Sequence, residues 1–108
     1  MVDNRILIPI DFTPASDKAV EFGIFIAQKC HGSICLLHVF EDGDMSIGDC
    51  ELKLQALSNK INTDDNIMCE HLCIKGNIFT VIPETAAKSG FRMMLIASHG
   101  PKSLRQKL

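Results

Sequence analysis

The residues best placed for chemistry sit where two apolar runs end. Asp11 directly follows Ile6-Leu7-Ile8-Pro9-Ile10, and Ser98-His99-Gly100 directly follows Met93-Met94-Leu95-Ile96-Ala97. In open parallel sheets ligands bind beyond the carboxyl ends of the strands, at the point where strand order reverses. The first and fourth strands commonly flank such a point, so these two tips could share one cleft. A carboxylate such as Asp11 accepts hydrogen bonds from ribose or adenine. Gly100 permits close backbone approach, and free N–H groups opening a following helix hold phosphate. The plainer reading is that Asp11 helps cap the next helix and Gly100 merely turns the chain. His38 and His99 also end strands near the proposed cleft, and imidazole beside phosphate can move protons. No Ser or Cys with a matched base is legible, and the pattern G-x-x-x-x-G-K-[ST] is missing, so catalysis is not expected.

Two further clusters point to metals and then away from them. Cys69, His71 and Cys73 alternate, which projects all three from one face of a strand. No C-x-x-C pair accompanies them, and Cys is a common core residue, so packing is the better account. Asp42, Asp44 and Ser46 mimic the start of a calcium loop. Ile47 and Lys53 then stand where that loop needs glycine and glutamate, so the cluster reads as solvated.

The elements that must hold these residues follow from periodicity. Ile6–Ile10 is short and continuously apolar, suited to a strand covered on both faces. Thr13-Pro14 supplies a helix N-cap and first position, and Ala15, Ala19, Phe22, Ile26 and Cys30 recur at helical spacing up to Gly32. Ile34–Val39 predicts a second strand, and Glu41–Gly48 an acidic loop. Cys50, Leu54, Leu57 and Ile61 mark a second amphipathic helix, and Ile67–Lys75 a third strand. Asn77–Ser89 predicts a third helix in which Pro83 is either a kink or the start of the regular part. Arg92–Ala97 completes a β-α-β-α-β-α-β series. Strands joined by crossover helices give an α/β fold, a parallel Rossmann-like sheet with helices on both faces.

Composition narrows the partners. A chain of 108 residues with 46% apolar content fits one domain. A formal charge of -2 predicts no attraction to nucleic acid or anionic membrane, and no apolar run approaches the roughly 18 residues of a membrane span. All 13 Asp and Glu lie at or before Glu84, and only bases follow, either an anion-facing end or a solvated basic tail. The 5 cysteines are odd in number and lie within apolar patterns, which argues for reduced thiols in a cytoplasmic protein.

Ile6-Leu7-Ile8-Pro9-Ile10-Asp11-Phe12-Thr13, the helix through Ala19 and Ala27, and Leu36-Leu37-His38-Val39 resemble the opening of universal stress proteins. Ile96-Ala97-Ser98-His99-Gly100 is similar to that family's signature after its fourth strand, usually ending Gly-Thr-His-Gly. The resemblance spans Arg5 to Leu108 and is weakest from Asp42 to Asn66. It implies strand order 3-2-1-4-5, dimers formed through strand five, and an adenine nucleotide, ATP or AMP, between strands one and four. Carried over residue by residue, Pro9, Ile10 and Asp11 line the adenine and ribose site, and Val39 meets adenine through its backbone. Gly100 is then the second glycine of the family's Gly-x-x-Gly phosphate motif, with His99 beside it and Ala97 in place of the first. The motif's closing Gly-Ser or Gly-Thr falls beyond Leu108.

A single domain over 1–108 is therefore expected, ordered 3-2-1-4 and lacking the family's last strand and helix. Its fourth strand should be an exposed apolar edge, and its affinity for ATP low. The expected function is a cytoplasmic stress-response module that binds an adenine nucleotide, forms a homodimer when complete, and hydrolyses ATP weakly at most. The alternative is an interaction and dimerisation module of the same fold that binds no nucleotide. No metal cofactor, nucleic acid or membrane is expected as a partner.

Overall fold

The run Ile6-Leu7-Ile8 forms the centre of strand β1 (Arg5–Pro9), with each of these side chains at most 2% exposed. The computed structural model describes residues 4–88 and 90–97. After β1 come α1 (Pro14–Cys30), β2 (Ser33–Phe40), α2 (Ile47–Asp64), β3 (Cys69–Lys75), α3 (Ile78–Lys88) and β4 (Met93–Met94). The strands form one parallel sheet, as the periodicity implies, in the order β3-β2-β1-β4 that the resemblance implies. Successive side chains of a strand point to opposite faces. Ile6 and Ile8 accordingly join Val20 and Ala27 of α1 and Leu54 and Ile61 of α2 in one apolar layer. Leu7, Cys35 and Leu37 face the other way, toward Ile82 and Ala86 of α3.

Hydrogen bonding along β1 alternates between its two neighbours. Ile10 N–H donates to Leu37 C=O in β2 at 2.7 Å, whereas the carbonyls of Arg5 and Leu7 accept from Arg92 and Leu95 at 2.9 Å each. Pro9 is next in the series that faces β4, and proline has no N–H to donate. The fourth strand, expected over Arg92–Ala97, accordingly shrinks to Met93–Met94 plus the Leu95 bond. The chains of β1 and β4 part beyond that point. Among the described residues β1 is the only partner of β4, and Met93, Met94 and Ile96 are 39%, 37% and 61% exposed.

Other boundaries moved for local reasons. Helix α2 begins at Ile47, inside the expected loop, because the Ser46 hydroxyl accepts the Asp49 N–H at 3.2 Å and caps it. Helix α3 runs through Pro83 from Ile78, started by Asn77, whose side chain accepts the Phe79 N–H at 2.8 Å. The left-handed residue ending α1 is His31 (φ 55°) rather than Gly32. Gly32 is needed for space: a methyl there would collide with the Asn4 carbonyl. In the acidic loop Asp44 accepts the Glu41 N–H at 2.9 Å and Asp42 pairs with Lys75, so these carboxylates are engaged by protein groups.

The cysteine expectation needs correction. Cys50 of α2 and Cys73 of β3 are joined in a disulfide, with Cα atoms 6.4 Å apart, while Cys30, Cys35 and Cys69 are free. The expectation failed because the pairing depends on which helix covers β3, which sequence spacing does not state. Cys69, His71 and Cys73 do share a face, and α2 packs on it. His71 links Ser58 at 3.2 Å to Glu51 at 3.1 Å, and Asn62 bonds both the N–H and the C=O of Cys69. Ser58 is 3% exposed, so this Ser–His–Glu chain ties α2 to β3 and offers no nucleophile to a substrate.

Two outcomes follow for stability. Gly32→Ala should lower it by about 1–3 kcal/mol through that backbone clash, read as a shifted urea midpoint. Burial foremost, with the nearby Glu70 carboxylate, pushes the Cys35 thiol from its ordinary 9.0 up to about 11. Burial, then Cys35 and Glu70, pushes Cys69 up to about 12. Unfolding frees both to ionise, so their contribution is intact below pH 9.0 and is lost as pH rises toward about 11 and 12. Replacing both by Ala should flatten the fall in urea midpoint over that alkaline range.

Candidate functional site

The site is assembled where β1 ends. Beyond Pro9 the chain turns through Ile10-Asp11-Phe12 into the N-cap of α1. Asp11 Oδ1 accepts from the Thr13 N–H at 3.1 Å and from the Thr13 hydroxyl at 2.5 Å. The Thr13 hydroxyl in turn accepts the Ser16 N–H at 3.5 Å, and the Thr13 carbonyl accepts the Ser16 hydroxyl at 3.0 Å. Asp11 therefore braces the helix entrance, as the plainer reading has it. Its side chain is also exposed at the rim of the cleft described next.

That cleft has a free volume of about 150 Å³. Pro9, Ile10 and Asp11 border it from β1, Val39 and His38 from β2, and Ile96 and Ala97 from the chain after β4. Ile78 and Ile82 of α3 close it from below the sheet's other face. Ligand pockets usually span about 300–1,000 Å³, so the slot is smaller than a whole ligand of nucleotide size needs. A second, more open hollow lies on the α1 side of Ile96 and Ala97, bordered by Ala15, Lys18 and Ala19. The two hollows share Ile96 and Ala97.

Backbone direction gives the slot its polar groups. In β2 the odd residues bond β1, through Ser33 N–H and Leu37 C=O. Val39 is next in that series, one step past the end of the β1 ladder, so its N–H and C=O point toward the cleft. His38 Nδ1 lies 2.6 Å from the Ile10 carbonyl. A carbonyl only accepts, so Nδ1 carries the hydrogen and orients the ring. Phe12 packs on that ring with centroids 4.7 Å apart, and Lys53 of α2 sits over Phe12 at 5.1 Å. Phe12 holds φ at 61°, a left-handed conformation rare for a bulky residue.

The structure thus gathers Pro9, Ile10, Asp11, Val39 and Ala97 around one slot. His99 and Gly100 lie outside the described residues. Sequence reasoning did not assign Ile78, Ile82, Phe12 or Lys53 to the site. The helical periodicity of Ile78 and Ile82 was the available signal for the first pair, and nothing in the spacing marks Phe12 or Lys53. Among the described residues no cluster of three or more His, Cys, Asp or Glu could hold a metal ion. No described helix is long and apolar enough to cross a membrane.

The comparisons with known proteins bear on this geometry. Residues 4–108 match the Universal stress protein family. A universal stress protein from Archaeoglobus fulgidus superposes with a TM-score of 0.73 at 22% identity, over 91% of this chain and 34% of its own, so the chain spans about a third of that relative. The Lactobacillus plantarum universal stress protein gives 0.75 at 14% identity, over 94% of this chain and 83% of its own. A universal stress protein family member from Arabidopsis thaliana, solved with AMP bound, gives 0.74 at 16% identity, over 95% and 81%. No curated protein matches the chain in sequence. With its strand order, its slot and the family match over residues 4–108, this chain belongs to the universal stress protein family.

Proposed function

We propose that the chain is an adenine-nucleotide-binding module of the stress-response type, working in the cytoplasm. The observation that carries this reading is the apolar slot between the carboxyl ends of β1 and β4. The AMP-bound relative of the same fold lends it support. In this reading adenine enters between Ile10 and Ile82 and is met by the backbone of Val39, while Pro9 shapes the entrance and Asp11 accepts from ribose. His99 and Gly100 would serve the phosphates through the family motif. Ala97 adds a methyl on that path, so AMP is the preferred ligand and ATP binds weakly, with weak hydrolysis at most. The whole 1–108 stretch acts as one domain, and the protein works as a homodimer.

Ala97 and the exposed Met93, Met94 and Ile96 favour a second reading, an interaction module of the same fold without nucleotide. Calorimetric titration of the protein with AMP and ATP separates the two. Binding heat for AMP is expected, and its absence would leave only the interaction reading. Asp11→Asn keeps an oxygen for Thr13 but removes the charge, and should weaken AMP about tenfold, near 1.4 kcal/mol. An Asn variant that binds AMP as tightly as the parent removes Asp11 from the ligand site.

A further inference from the structure

We propose that the Cys50–Cys73 disulfide is a reversible thiol–disulfide site whose oxidation state sets the conformation of the cleft's rim. Its effect on nucleotide affinity rests on the function proposed above; its effect on the rim does not.

Both halves of the pair lead to Phe12. Cys73 lies opposite His38 in the β2–β3 register, and the His38 ring packs on Phe12 while bonding the Ile10 carbonyl. Cys50 lies in α2 one turn before Lys53, whose ammonium sits over the same Phe12 ring at 5.1 Å. The left-handed Phe12 backbone is a conformation that persists only while its surroundings hold it. Phe12 also joins Asp11 to Thr13, so its release shifts the backbone that carries the rim carboxylate. Helix α2 is also held on β3 without the disulfide, by Glu51 and Ser58 on His71 and by Asn62 on Cys69. Opening the disulfide therefore loosens the first turns of α2, around Cys50 and Lys53, without undocking the helix.

Exposure directs the chemistry. Cys50 is fully buried and Cys73 is half-buried. A low-molecular-weight thiol attacks Cys73 Sγ, forming a mixed disulfide there and expelling the Cys50 sulfur, which takes up the attacker's proton. The positive end of α2 partly offsets the cost of releasing that sulfur inside the core. A second thiol then reduces the mixed disulfide, leaving two protein thiols and one small disulfide. In reverse, a peroxide oxidises Cys73 to a sulfenic acid and releases water. Cys50 displaces the sulfenic oxygen as a second water, and the disulfide closes. Cys35 and Cys69 do not compete, because burial keeps both as protonated thiols at neutral pH.

The test reduces the protein with dithiothreitol, reoxidises it with hydrogen peroxide, and maps the products by peptide mass and hydrogen–deuterium exchange. Peroxide is expected to restore one linked peptide carrying Cys50 and Cys73. Amide exchange at Phe12, Thr13 and the start of α2 should be about fivefold slower in the oxidised form, the low end of common coupling between sites. Cys73→Ala should exchange like the reduced form under both conditions. Lys53→Met should keep the disulfide yet lose the difference at Phe12. Failure of the linked peptide to form, or equal exchange in both forms, overturns the proposal. A rim that responds while AMP binds neither form overturns the nucleotide function and leaves this site standing.

Discussion

The hydrogen-bond alternation along β1 is the constraint on which the rest of the structure depends. A parallel strand turns one residue's N–H and C=O to one neighbour and the next residue's to the other. Arg5 and Leu7 serve β4, while Ile10 continues the series that serves β2. Pro9 falls in the β4 series and brings no N–H, so pairing with β2 continues where pairing with β4 stops. The sheet is thereby closed on one side of β1 and parted on the other. The slot opens at that parting, bordered by the same Pro9 that stops the ladder.

Everything that furnishes the slot is held by this arrangement and by the layers above and below it. Covering both faces of β1 requires α1 and α2 on one side and α3 on the other. The first side carries Lys53 to Phe12, and the second brings Ile78 and Ile82 under the slot. Asp11 serves two purposes at once, bracing the α1 entrance through Thr13 and standing at the rim. In the function proposed, a carboxylate already fixed by its own turn would lose little freedom when a ligand arrives.

The fold was largely legible because burial leaves a periodic record. Ile6–Ile10 and Ile34–Val39 read as strands because short, continuous apolar runs suit positions covered on both faces. Where reading and structure part, the cause is an interaction with a distant segment. The fourth strand shortened because a proline on β1, far from it in sequence, withholds the next rung. His31 took the left-handed position expected of Gly32, whose role is to let the Asn4 backbone pass. The Ser46 cap of α2 is a local signal, a hydroxyl three residues ahead of the N–H it accepts, set within a stretch that reads by composition as an acidic loop.

By itself the chain's order of residues determined the α/β class, the succession of elements, and the placing of Asp11 and Val39 at strand ends. Those properties follow from local periodicity and from the direction of the backbone at each residue. Only the tertiary structure decided that Cys73 meets Cys50, that Lys53 and His38 converge on Phe12, and that α3 contributes Ile78 and Ile82 to the slot. Each of these pairs joins residues on different elements. Their meeting depends on how helices are laid across the sheet, a packing outcome that no spacing along the chain records.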